Sequence, residues 1–295
     1  MRASGYKKII IDTDLGDDID DIFALAFAFA SRAFEVGLIS VCWGDIDYKL
    51  KTAARLLAET GVSAPFARGR QIAGSNTPHD VSGYAAPDCG NAADGIARAV
   101  GEGARAVVSI GPLTNIADFV SRYPALKNAC RIVWMGGSLR RGYIGQTGPT
   151  NEFNAAMDPV SAAAVMRSGF DVALAPLDVC RDFIVDGERF ARIRRDGNPF
   201  ARAALNFYAE WHRNYRGGAL KYPERESSGI LYDLVPFLYL LRGEWFGVET
   251  MRVACDGKGF TRETPDGATV KVLTSFPGKE RALDFVADVF TRRSN

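Results

Sequence analysis

IIIDTDLGDDIDDIFALAFAFA, residues 9–30, decides how this 295-residue chain is read. Three isoleucines run into a carboxylate, as in a buried strand that ends at polar ground. Gly16 permits a tight turn, and IFALAFAFA continues as an apolar helix. Between the two runs stand six aspartates in ten positions: Asp12, Asp14, Asp17, Asp18, Asp20 and Asp21. Strand-end and helix-start carboxylates therefore converge on one small volume. A helix N-cap accounts for one of them, because a side-chain oxygen there satisfies free N–H groups of the first turn. It does not account for six. Like charges this close repel, and some take up protons unless a cation compensates them. Oxygen-only donors favour a hard ion, Ca²⁺ or Mg²⁺, over zinc. The spacing is not that of an EF-hand, because the glycine and the closing glutamate are not at their places in that loop.

Outward from this stretch the same alternation recurs. Strand-like GLISVCW, AVVSI, RIVWM and DVALAPL interleave with helix-like KLKTAARLLAET, LTNIADFVSRY and PVSAAAVMRSG. Such alternation predicts an α/β fold, an open, mostly parallel sheet flanked by helices, with its site at the carboxyl ends of the strands. From about residue 182 to 225 the pattern becomes polar, aromatic and helical, and reads as a lid-like region. FGVETMRVACDG and ATVKVLT follow as a late β element, and KERALDFVADVFTRR as a closing amphipathic helix. There is no internal repeat, and no stretch is rich enough in Pro, Gly or Ser to act as a linker. Residues 1–295 are accordingly expected to form a single domain.

Composition narrows the partners. Thirty-six Lys and Arg against 35 Asp and Glu leave a formal charge of +1 without a sustained basic run, so neither nucleic acid nor an anionic membrane is expected. A small neutral or polar ligand fits better. The five cysteines are scattered and lack CxxC spacing, which points to reduced, mostly buried thiols. The N-terminal residues reach a carboxylate too early for a signal-peptide core, and FALAFAFA is far shorter than a membrane span, so a soluble cytoplasmic protein is expected.

In its motifs the chain resembles the nucleoside hydrolase family of the inosine-uridine preferring type. The family's D-x-D-x-G and helix-initial D-D pair are matched by Asp12, Asp14, Gly16, Asp20 and Asp21. Further matches follow in order: VCWGD (41–45), HDVSG (79–83), IGPLTNIA (110–117), WMGG with EFNAAMDP (134–137 and 152–159), and LYDLVPFLYLL (231–241). The resemblance implies an open α/β fold, one bound Ca²⁺, a homodimer or homotetramer, and hydrolysis of a nucleoside to ribose and free base. It further implies that Asp14 is a metal ligand and the general base that activates a metal-held water. Asp21, Asp233 and the main-chain oxygen of Ile110 would complete the ligand set. Asp20, Glu152 and Asn154 would contact the ribose hydroxyls, with Met135 beside the sugar, and His79 would lie close by.

The chain departs from the family pattern in three places. The D-D pair falls on Asp18 and Ile19 when counted from the strand, but on Asp20 and Asp21 when counted back from the helix. The second count keeps D-D-x-x-A in register and leaves Asp17 and Asp18 as two extra turn residues, open to sugar or metal. Asp45 stands where many members carry asparagine; an ionised carboxylate there accepts hydrogen bonds from a ribose hydroxyl but donates none. Tyr232 stands where many members carry a histidine that acts as acid for the leaving base. A tyrosine can donate a hydrogen bond but is a weaker acid, with an ordinary pKa of about 10.

Phe207, Tyr208, Trp211, Tyr215 and Tyr222 have faces on which a base can stack, Trp211 foremost, although helical spacing suits packing for most of them. His212, in the same variable region, fits a surface or core position equally well. The carboxylates suit the chemistry, since an N-glycosidic bond breaks through an oxocarbenium-like sugar that must be held, supplied with water and stabilised. Two other readings stay open on the residues: a Mg²⁺-dependent phosphohydrolase with a DxD nucleophile, and a riboside-binding pseudoenzyme.

Overall fold

The computed structural model describes residues 7–72, 76–215 and 225–292. Strand β1 (Lys8–Thr13) is followed by helix α1 (Asp20–Ala30), β2 (Glu35–Val41), α2 (Ile46–Thr60), β3 (Phe66–Arg68), α3 (Ala92–Gly101), β4 (Ala106–Ser109), α4 (Thr114–Arg122) and β5 (Arg131–Met135). After α5 (Phe153–Met157) and α6 (Pro159–Met166) come β6 (Asp171–Ala175), α7 (Leu177–Cys180), β7 (Ile184–Asp186), α8 (Gly187–Asp196) and α9 (Pro199–Asn214). The chain closes with β8 (Ser227–Ile230), α10 (Leu234–Leu241), β9 (Gly247–Cys255), β10 (Thr261–Glu263), β11 (Ala268–Ser275) and α11 (Lys279–Thr291).

Among the described residues nine strands form one sheet in the order β10-β9-β11-β6-β5-β4-β1-β2-β3. From β3 to β11 every neighbouring pair is parallel; near the other edge β9 runs antiparallel to both of its neighbours, β11 and β10. The expected open, mostly parallel sheet flanked by helices is therefore present. Both faces are covered, which is why the middle of β1, Ile9 to Ile11, is an unbroken apolar run. Ile9 and Ile11 pack into the cluster that includes α1 and α9, while Ile10 points through the sheet to the cluster containing residues of α3 and α4.

Not anticipated were the three-residue β3 and a separate two-stranded sheet of β7 and β8, both too short for a periodic signal to register. The described part of the stretch read as lid-like is built inward. Phe190, Ile193, Phe207 and Tyr208 are buried, and the Tyr208 ring meets Phe23 of α1 edge-on at 6.0 Å. Tyr222 lies outside the described residues. All five cysteines are free. Among the described residues, no helix is long and apolar enough to cross a membrane.

The order of strands positions the site. The chain leaves β1 toward β2 and β3 on one side, then returns to β4 on the other, so the connections diverge at the carboxyl end of β1. Such a divergence opens a crevice where ligands bind in sheets of this kind.

Candidate active site

A cavity of about 720 Å³ opens at that divergence. Asp14, Ile110 and Met135 reach it from the ends of β1, β4 and β5, Trp43 from the end of β2, and Glu152 and Asn154 from the start of α5. Asp17, Asp18, Asp20 and Asp21 line it from the turn and α1, Trp211 and Tyr215 from the end of α9, and Tyr232 and Asp233 from just before α10.

One level below the cavity, Asp12 binds the strand ends together. Strand register places it opposite both Ser40 and Ser109. Its buried carboxylate accepts hydrogen bonds from Ser40 Oγ (2.6 Å), Ser109 Oγ (3.2 Å) and Asn115 Nδ2 (2.8 Å). Burial pushes its pKa up to about 6 against the pull of these donors. Asp12 thus fixes β1, β2, β4 and α4 around the residue two positions on, Asp14.

Helix α1 begins at Asp20, as counted back from the helix, and Ile19 at its cap makes no side-chain cap hydrogen bond. Asp20 and Asp21 instead spend their carboxylates on the cavity, where the positive end of the helix dipole favours them. With Asp233 they form a group whose oxygens lie within 4.8 Å of one another, all three buried. Thr13 Oγ1 donates to Asp21 Oδ1 at 2.5 Å. Burial, and then the charges of neighbouring aspartates, hold the pKa values of Asp21 and Asp233 well above the carboxylate range; burial and Asp18 do the same for Asp20. Buried, mutually repelling oxygen donors are the donor set of a hard cation. Of the four expected ligands the structure brings Asp21 and Asp233 together and adds Asp20, while Asp14 and Ile110 line the same cavity beside them. Asn154 Nδ2 donates to the carbonyls of Met135 (3.0 Å) and, at longer range, Ile110 (3.4 Å).

Glu152 caps α5. Its carboxylate accepts from the backbone N–H groups of Asn154 (2.9 Å), Ala155 (3.1 Å) and Gly137 (2.9 Å). Burial lifts its pKa to about 7 even so. The three donors immobilise the carboxylate without exhausting its lone pairs, so it can still accept from a ligand hydroxyl.

Two expected site residues lie elsewhere. Asp45 caps α2, accepting from Tyr48 N at 3.1 Å, and is not among the described lining residues. His79 is buried behind the wall, its ring 4.9 Å from that of Phe207 and its Nδ1 3.8 Å from Glu210, too far for a hydrogen bond. Its backbone N–H donates to the Tyr48 hydroxyl at 3.1 Å. Motif matches drew attention to both positions, but Asp45 is taken up at the start of α2 and His79 in the packing around Phe207.

The structure also supplies a lysine that the motifs did not single out, and it places the aromatic candidates. Lys49, wholly buried, directs its ammonium at the carbonyls of Asp14 and Leu15 (3.3 Å to the latter) and at Asp17 Oδ2 (2.6 Å). Its place among Ile46, Leu50 and Ala53, on the buried stripe of α2, was the available signal: a lysine on an apolar face needs an internal partner. Trp43 lines the cavity with φ of 55°, in the left-handed region. Its ring meets that of Phe153 edge-on at 5.4 Å. On α9, Trp211 and Tyr215 stack at 4.9 Å, and the Trp211 indole N–H donates to the Asp17 carbonyl at 3.3 Å. Tyr232 meets Tyr143 edge-on at 6.2 Å.

Gly111 leaves room for the Asp14 carboxylate. A Cβ there would stand 2.7 Å from Asp14 Oδ1 and 2.8 Å from Cys42 Sγ. Gly111→Ala is therefore expected to displace the Asp14 carboxylate and to lower kcat by about tenfold to a hundredfold. A steady-state assay returning the parental kcat would show that Asp14 tolerates the shift.

Comparison with known proteins agrees with this geometry. The family model described as inosine-uridine preferring nucleoside hydrolase matches residues 9–291. The pyrimidine-specific ribonucleoside hydrolase RihA of Salmonella enteritidis PT4 is 32% identical over 266 residues, spanning 82% of this chain and 84% of that protein. Among solved structures, a plant nucleoside hydrolase superposes with a TM-score of 0.80 at 22% identity, covering 98% of this chain and all of the other. An inosine-guanosine nucleoside hydrolase superposes with a TM-score of 0.78 at 20% identity, with 98% and 100% coverage. With a family match along nearly its whole length and the acid-lined crevice at the carboxyl end of β1, the chain belongs to the inosine-uridine preferring nucleoside hydrolases, a family of N-glycosidic hydrolases.

Proposed function

We propose that this protein hydrolyses ribonucleosides to ribose and free base in a Ca²⁺-dependent reaction, with Asp14 as general base. The observation that carries the reading is the convergence of Asp14, Asp20, Asp21 and Asp233, all buried, on one cavity that is also lined by Glu152 and Asn154. Asp20, Asp21 and Asp233 would hold the ion with Asp14 and the Ile110 carbonyl beside them. Anionic oxygens in a buried cluster suit Ca²⁺, which sheds its water more readily than Mg²⁺. When bound, the ion supplies a positive anchor for ribose hydroxyls and lowers the pKa of an adjoining water.

The protein's own groups do the rest. Glu152, immobilised by three backbone donors, accepts from a ribose hydroxyl and so orients the sugar. Asp14 takes the proton of the water that attacks C1′ as the bond to the base breaks. The surrounding carboxylates stabilise the positive charge that develops on the sugar. A phosphohydrolase has less support, because the described lining contains no lysine or arginine for a phosphate and Lys49 spends its charge behind the wall.

Release of reducing sugar from a panel of ribosides that includes uridine and inosine tests the reading directly; no release from any of them would refute it. Removing metal exhaustively is expected to abolish turnover and lower the thermal midpoint by about 5 °C. An ion present at a hundred times its Kd contributes roughly 2.7 kcal/mol to the native state, worth a few degrees per kcal/mol in a chain this size. Restoring Ca²⁺ should restore both, and a midpoint indifferent to chelator and Ca²⁺ alike would remove the ion from the scheme.

A further inference from the structure

The cavity carries more acidic side chains than one ion can match. Of the seven that line it among the described residues, Asp17 is paired with Lys49 and a divalent cation would offset two further charges, which leaves four carboxyl groups with no cationic side chain facing them in the described lining. Asp18 belongs to the two extra turn residues, and its Oδ1 accepts only from the adjacent Ile19 N–H at 2.7 Å among the described contacts. Among the described residues no lysine, arginine or histidine lines the cavity. The residue beside Asp233 is Tyr232, and a phenol is a poor acid near neutral pH. The same cavity is lined by Trp43, Phe153, Trp211 and Tyr215, and the Lys49 ammonium already lies 5.9 Å from the Trp43 ring centroid, as expected of aromatic rings that attract cations.

We propose that the preferred substrates are ribosides whose base already bears a positive charge, pyridinium ribosides in particular. The inference rests on the hydrolase reading above and names the substrate class of the same site. In the reaction the C1′–N bond breaks with both electrons passing to the ring nitrogen, which cancels the pyridinium charge. The water oxygen bonds to C1′, and its proton passes to Asp14 and then to solvent. The base departs neutral and needs no proton, so a site with tyrosine in place of an acid is sufficient. A neutral uracil or hypoxanthine departs as an anion unless protonated, into a cavity that repels anions.

The test compares kcat/KM for nicotinamide riboside with those for uridine and inosine, and the inhibition constants of 1-methylnicotinamide and nicotinamide, which differ in charge but contain no bond to cleave. Nicotinamide riboside is expected to exceed both neutral nucleosides by at least about tenfold, and the methylated cation to bind about tenfold more tightly than the neutral amide. Asp18→Asn is expected to shrink both preferences. Equal binding of cation and amide, or uridine or inosine turned over as well as the pyridinium riboside, would overturn the inference while leaving the hydrolase reading intact. So would Asp18→Asn slowing the neutral nucleosides more, because Asp18 would then be an acid for the leaving base. Failure to cleave any riboside would instead remove the hydrolase reading, and this inference with it.

Discussion

Asp14→Asn is expected to lower kcat by about 10² to 10⁴ with the fold intact, since loss of a general base alone has that effect. The side chain sits 7% exposed at the end of β1, where burial raises its pKa, Lys49 opposes the rise and Asp17 adds to it. Asparagine has nearly the same shape but cannot accept a proton. The substitution also removes one of several crowded negative charges, so metal-free protein should melt no lower than the parent. The pattern of the kinetics matters as much as the size. A fall in kcat with little change in KM places the loss in the transition state, whereas an unchanged kcat with a raised KM would make Asp14 a binding group only. Turnover within about threefold of the parent would refute its role as base.

Lys49→Met should cost the second largest amount, in stability first and activity second. It removes a wholly buried ammonium from Asp17 and from the carbonyls of Asp14 and Leu15. What remains is a carboxylate only 16% exposed and facing no cation. Breaking a buried pair from one side costs about 3 kcal/mol or more, which corresponds to a fall in melting temperature of about 5 °C or more in a chain this size. Because the same ammonium holds the turn carrying Asp14 and Asp18, kcat should fall by about tenfold or more. Adding Asp17→Asn to Lys49→Met removes the uncompensated charge and should recover part of the stability but less of the activity. Melting curves and kcat for the two single variants and the double variant check this. Strict additivity would show that the two side chains are not coupled.

Residues 9–30 made the architecture legible because their signals are local. The apolar run, the glycine and the apolar helix lie within about 20 residues, and β1 and α1 appear where that pattern puts them. The same is true of β2, β4, β5 and β6, whose continuous apolar character follows from burial on both faces of the sheet. The density of aspartates announced the acid-lined crevice for the same reason: the residues are neighbours in the chain, so no long-range geometry was needed to bring them together.

Contacts between distant segments were decided only by the tertiary structure. Asp12 receives Ser40, Ser109 and Asn115 because two strand registers coincide at its level, and nothing within β1 encodes those registers. Lys49 meets Asp17 across 32 residues because α2 packs its apolar stripe beneath the turn. Asp45 and His79 carry suitable chemistry at positions suggested by motif. Yet the path of the chain gives Asp45 to the start of α2 and His79 to the packing around Phe207 and Glu210. Side-chain type and local period thus determined which elements form and that carboxylates cluster at the end of β1. Which of those side chains face the cavity and which support it from behind was set by strand register and helix packing, because a rotation of one residue on a helix or strand turns a side chain to the opposite or adjoining face.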